Sequence, residues 1–213
     1  FRAIAGITDA ELKDVNLVVY HNWDNTRRFI DRVEEPTQSL VTSGEGMKSW
    51  NPWKMNSQFV LENALRFLDE PGEWFLQRDG TLFYKPLPGE DLTQAEVVAP
   101  VTEKFIVIKG DAGAGKFVEH ITFKGLTFQH AQWLTPPAGF EAAQAAAPID
   151  AVVLADGARN ITLENCEIGH IGTYAVWFRQ GCRDAVIRHC HLHDFGAGGV
   201  RIGEAVLPSN PAK

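Results

Sequence analysis

The sequence has no apolar run near the roughly 20 residues that a membrane span needs, so no membrane span is expected. It shows no signal peptide and begins at Phe1 without a methionine, which suggests an excised or mature segment of something longer. Cysteine is scarce. Cys166, Cys182 and Cys190 are too few for a disulfide scaffold, and their odd number leaves at least one thiol free or paired with another chain. Basic charge is also short: 20 Lys and Arg against 27 Asp and Glu give a formal charge of -7. With no basic stripe anywhere, nucleic acid is excluded as a partner, because phosphate contacts need clustered Lys and Arg. What the chain does have is 45% apolar content over 213 residues, enough for a substantial core in one large or two small domains.

One motif is a near miss. GDAGAGKF, residues 110 to 117, almost spells a phosphate-binding loop, but Phe117 stands where a magnesium-holding hydroxyl belongs. The following VEHITFKGLTF alternates like a strand where a helix would be needed. The stretch reads as a glycine-rich turn between strands.

An internal repeat carries more information. NITLENCEIGHIGTYAVWFRQGC (160 to 182) aligns without a gap on DAVIRHCHLHDFGAGGVRIGEAV (184 to 206) at an offset of 24. Leu163 falls on Ile187, Cys166 on Cys190, Ile168 on Leu192 and Val176 on Val200. A third copy lies upstream in two pieces. HITFKGLTFQHA matches the first half at an offset of 40, and AVVLADGA (151 to 158) matches AVWFRQGC at 24, so 16 residues are inserted between the pieces. The stretch that holds this insertion, about 131 to 150, is expected to be a Pro-bounded loop with a short helix from Phe140 to Ala147. Short alternating strands with turns rich in Gly, Asn and Asp, repeated every two dozen residues, point to a parallel β-solenoid in which neighbouring coils bury a shared core.

Residues 1 to about 95 lack the period. VNLVVYHNW is expected to be a strand, SQFVLENALRFLDE a helix capped by Ser57 and stopped by Pro71-Gly72, and EWFLQRDGTLFYKP a hairpin turning at Asp79-Gly80. This gives a mixed, β-rich domain over 1–95 and repeat coils over 96–213.

In a solenoid, residues one repeat apart stack about 4.8 Å apart and form columns. Cys166 and Cys190 share an inward column with Leu126, an arrangement poorly suited to a disulfide. Lys124, Glu164 and Arg188 form an outward column of alternating sign. His130, His170 and Asp194 occupy equivalent turn positions in three coils, and His193 flanks Asp194. On the next strand Trp177 is expected to point outward and exposed, with Arg201 beside it one coil on and Arg179 two residues along. An indole face with charged neighbours suits a sugar ring, apolar on its faces and hydroxylated at its rim. The plainer alternative is that His and Asp satisfy turn backbones and that the insertion covers Trp177. His191 and His193 project to one side roughly 7 Å apart and with a third ligand could hold zinc or iron. Only Asp194 is plainly in range as that ligand, calcium lacks a dense Asp cluster, and no metal or other cofactor is expected.

LENALRFLDEPGEWFLQRDGTLFYKPLPGED, VAPVTEKFIVIKG, HITFKGLTFQHAQW, CEIGHIGTYAVWF and CHLHDFGAGGVRIGE together resemble secreted bacterial right-handed parallel β-helix proteins similar to glycoside hydrolase family 141. The resemblance covers most of the chain: residues 1 to about 60 look like the family's β-rich insertion domain and the rest like the first half of its β-helix. It implies a mostly β protein, a secreted or periplasmic location, a poly- or oligosaccharide substrate and acidic catalytic residues. Asp194 in HDFGAGG is matched first to a catalytic acid and Glu204 in RIGE second. A glycosidase needs two carboxyl groups, and the second could lie beyond Lys213, so the chain alone is expected to be inactive or nearly so.

The leading functional reading is a glycoside hydrolase segment, with Asp194 as acid or nucleophile and His170 steering its proton or binding hydroxyls. His130, Trp177, Arg179, His193 and Arg201 would line the sugar site. A polysaccharide lyase, with Arg179 or Arg201 as base and calcium neutralising a uronate, is the runner-up. A non-catalytic carbohydrate-binding solenoid is the third reading.

Overall fold

The computed structural model describes residues 2–45 and 48–204; Ala205 and Val206, the end of the aligned repeat, lie outside the described residues. The chain divides into two compact units, one of Phe1–Glu96 and Thr135–Ala145, the other of Val97–Leu134 and Ala146–Lys213.

In the first unit, β1 (Asn16–Tyr20) pairs antiparallel with β2 (Asn25–Glu34), and β2 also pairs with β3 (Ser39–Thr42). β4 (Phe59–Glu62) lies against the other edge of β1, with Leu61 opposite Leu17. Val15, Leu17, Val19 and Ile30 form the core of this unit. The helix expected from Ser57 is therefore absent. Its apolar residues serve a strand, Asn63 turns the chain with φ of 68°, and a single 3-10 turn follows at Leu65–Phe67. Sheet pairing has overridden a helix-like spacing. The hairpin is formed by β5 (Trp74–Leu76) and β6 (Leu82–Tyr84), with Gly80 at positive φ in its turn.

The second unit winds differently. β7 (Ile106–Lys109), β8 (Val118–Lys124) and β9 (Thr127–Ala131) follow one another, each in a different parallel sheet. The 110–117 stretch is the turn between β7 and β8, closed by a bridge between Asp111 and Lys116. β10 (Phe140–Glu141) then returns to the first unit and pairs with β2. The helix expected there is instead a strand, fixed by Arg28, which is 5% exposed, donates to the carbonyl of Ala138 at 2.8 Å and pairs with Glu141 at 2.6 Å.

The winding resumes with β11 (Ala151–Asp156), β12 (Ala158–Glu164) and β13 (Glu167–Ile171). It continues through β14 (Tyr174–Phe178), β15 (Val186–Arg188), β16 (His191–Leu192) and β17 (Gly198–Ile202). Sheet orders are β7–β11–β14–β17, β8–β12–β15 and β9–β13–β16. Leu163 pairs with Phe123 and Ile187, and Ile168 with Phe128 and Leu192, at the offsets of 40 and 24 read from the sequence. β11 departs by one residue: Val153 faces Val176 and Leu154 faces Trp177, an offset of 23. The offset of 24 returns at the Arg159–Arg183 bridge, after the turn through Gly157 and Gly181.

Ile108, Val153, Ala155, Ile161, Leu163, Ile168, Val176 and Phe178 fill the shared interior. Cover thins outward along it: Val176 is fully buried, whereas its partner Val200 is 45% exposed. The three cysteines are free thiols; Cys166 is buried and Cys190 half-buried. Circuits approach closely at Gly196, where a Cβ would lie 2.4 Å from the carbonyl oxygen of Gly172.

Outside, Glu164 sits between Lys124, at 2.9 Å, and Arg188, whose Nε is at 3.1 Å. Hydrogen bonds from Lys124 and then Arg188 pull its carboxyl from 4.5 to about 2. A folded-state value below the unfolded one adds stability that is complete above 4.5 and lost as the pH falls toward about 2. Glu164→Gln should flatten the fall of melting temperature across that window; an unchanged acid limb would show that the ladder contributes nothing.

Candidate functional site

The β9–β13–β16 sheet ends at a corner where each circuit passes through one residue of positive φ: His130 at 64°, His170 at 52° and Asp194 at 50°. His, Asp and Asn accept this left-handed region more readily than most side chains. Other corners stack His120, Asn160 and Asp184, and Gly125, Asn165 and His189, in the same conformation. Backbone geometry therefore explains the residue types at corners in general. The His130 column is set apart by what its side chains touch.

The His130 and His170 rings stack at 5.1 Å and 9°. His170 Nδ1 lies 2.6 Å from Asp194 Oδ2, with the two side chains 46% and 66% exposed. The His193 ring stands edge-on to His170 at 5.3 Å and stacks on His191 at 4.1 Å. Its Nε2 is 3.1 Å from Glu167 Oε1, which also accepts from Gln129 Nε2 at 3.0 Å. The Glu167 carboxyl is held below the usual carboxylate range, first by the His193 contact and also by Gln129, against a partial opposing effect of burial. The result is a row of four imidazoles and two carboxylates on one outward surface.

Local sequence makes the row fit. His193 lies one repeat after Gly169, and a Cβ at Gly169 would come within 2.6 Å of two atoms of the His193 ring. Only a residue without a side chain lets the imidazole lie down against the strand and reach Glu167. Glu167 was not singled out from the sequence, although the offset of 24 places it opposite His191, where the structure pairs it.

A second group occupies the outer face of the β7–β11–β14–β17 sheet. Trp177 is turned away from the main interior but is only 8% exposed, contrary to the exposed indole expected. Its Nε1 donates to the carbonyl of Gly203 at 2.8 Å, Leu154 packs beside it, and the Arg201 guanidinium lies 3.7 Å over its ring. Arg201 also donates to the carbonyls of Ala147 and Ile149, so the end of the insertion ties down the cation that covers the indole. Arg179 Nε lies 2.9 Å from Glu204 Oε1 and 3.6 Å from Asp156 Oδ1. Its guanidinium is held above its ordinary range chiefly by Glu204, against the opposing effect of burial.

The candidate residues thus fall into two sets. His130, His170, His193 and Asp194 come together at the corner, whereas Trp177, Arg179, Arg201 and Glu204 interlock on another sheet. The two carboxyls singled out, Asp194 and Glu204, belong to different sets.

No family model matches the sequence and no curated protein matches it. One solved chain described as "Glycoside hydrolase" superposes with a TM-score of 0.77 at 24% identity, over 98% of this chain and 43% of that one. The chain spans less than half the length of that neighbour, and at this identity the likeness is one of fold.

Proposed function

We propose that the chain is part of a glycoside hydrolase acting on plant-type or complex polysaccharide, secreted or periplasmic, on a right-handed parallel β-helix similar to family 141. The observation that carries the reading is Asp194. It is a carboxyl group two-thirds exposed, oriented by an imidazole at 2.6 Å, on a surface lined with further hydrogen-bonding rings. Such a group can protonate a leaving glycosidic oxygen or attack the anomeric carbon, and a positioned His beside it can take or return the proton. The likeness in fold to a chain described as "Glycoside hydrolase" supports the same reading.

Glu204 remains the second carboxyl candidate by residue type, but its engagement with Arg179 makes Asp194 the group open to substrate. The lyase reading loses support. Arg179, with its proton held more tightly than usual by Glu204, is a poor base, and Arg201 is occupied by the indole and two carbonyls.

The test is to incubate the complete protein carrying this chain with a panel of plant cell-wall and other complex polysaccharides. New reducing ends without an ultraviolet-absorbing unsaturated product are expected. Unsaturated ends would select the lyase, and binding without cleavage would select the non-catalytic module.

A further inference from the structure

We propose that Glu167, His191 and His193 form a binding site for a divalent transition-metal ion of the zinc class, with one coordination position left toward solvent. Their donor atoms, one from each residue, all lie within 4.8 Å of one another. The contact between His193 Nε2 and Glu167 Oε1, at 3.1 Å, is close to the ~3.4 Å edge of a tetrahedron with metal arms of ~2.1 Å. Two imidazoles and one carboxylate are a donor set that zinc and its first-row neighbours accept, and three protein ligands leave room for a further oxygen.

Two further features fit a metal site better than a chance cluster. Gln129 donates to Glu167 and fixes the carboxylate, the kind of outer contact that orients metal ligands. Gly169 clears the strand surface so that the His193 ring can lie flat toward Glu167. His191, the exposed member, faces solvent, so the fourth position would be reachable by a hydroxyl or carboxylate of a sugar. The site is independent of the hydrolase reading: a binding module would use the same ion to hold a sugar.

The experiment is metal analysis of the purified protein after equilibration with Zn2+ and exhaustive dialysis, followed by titration with Co2+ read by its visible absorption. Wild type should retain one equivalent more zinc than either His191→Ala or Glu167→Gln, and both variants should bind Co2+ at least ~10-fold more weakly. His120→Asn, at a corner on a different sheet, should behave as wild type. Circular dichroism of the exposed His191→Ala variant shows whether the fold is retained, and Glu167→Gln supplies a second reading that keeps side-chain shape. Equal zinc content in wild type and both variants, or Co2+ absorption unchanged by either substitution, would overturn the site.

Discussion

On the proposed hydrolase reading, Asp194→Asn should lower kcat by ~10^2–10^4, the usual contribution of a positioned acid or base, while leaving sugar affinity within a few-fold of wild type. Asn is the informative replacement because position 194 has φ of 50°. Asn tolerates that left-handed conformation, whereas Ala would add backbone strain and blur the result. The amide keeps the shape of the carboxyl and can still accept from His170, so the geometry of the row survives while the exchangeable proton is lost. Because the side chain is 66% exposed, the melting temperature should move little. An unchanged kcat would remove Asp194 from the chemistry and leave the corner a structural ladder.

Ile168→Ala should cost ~2–5 kcal/mol, the range for truncating a large aliphatic side chain in a packed core. Ile168 is fully buried and sits between Phe128 and Leu192 on the two neighbouring circuits, so the cavity would open on both sides. Leu192→Ala, in the half-buried outer circuit, should cost clearly less. Denaturant unfolding of the two variants checks the contrast. Equal losses would mean that the circuits do not share one interior. The site should respond as well, since β13 carries Glu167 one residue before Ile168 and His170 two residues after it.

The parts of the fold that could be read from sequence were those where buried and exposed positions alternate. Leu163 on Ile187 and Ile168 on Leu192 pair as expected because each strand has one apolar face, and a slip of one residue would turn that face outward. Val152 to Ala155 gave no such signal. All are buried and all are apolar, so the pattern could not separate an offset of 24 from the observed 23. The helix expected from Ser57 failed for a related reason: its apolar spacing suits a helix, but the free edge of β1 takes up Phe59–Glu62 first.

The candidate site was legible in part. Period and residue type brought His130, His170 and Asp194 into one column, and the structure adds the contacts among them. The burial of Trp177 matches the plainer alternative, cover by the insertion, and the structure supplies the means: Arg201 lies over the indole and is held by carbonyls of Ala147 and Ile149. Glu167 is legible in the same way. Its position one period before His191 was open to the same arithmetic that gave the other columns.

Neighbouring circuits bring His130, His170, His193, Glu167 and Asp194 into touching contact in a single row of imidazoles and carboxylates. Nuclear magnetic resonance of the histidine side chains tests it most directly. Through-space contacts are expected from the His170 ring to both His130 and the Asp194 methylene, and from the His193 ring to the Glu167 side chain, with a His170 Nδ1 signal that shifts in Asp194→Asn. Rings of His170 and His193 that show none of these contacts, with a His170 signal indifferent to position 194, would contradict it.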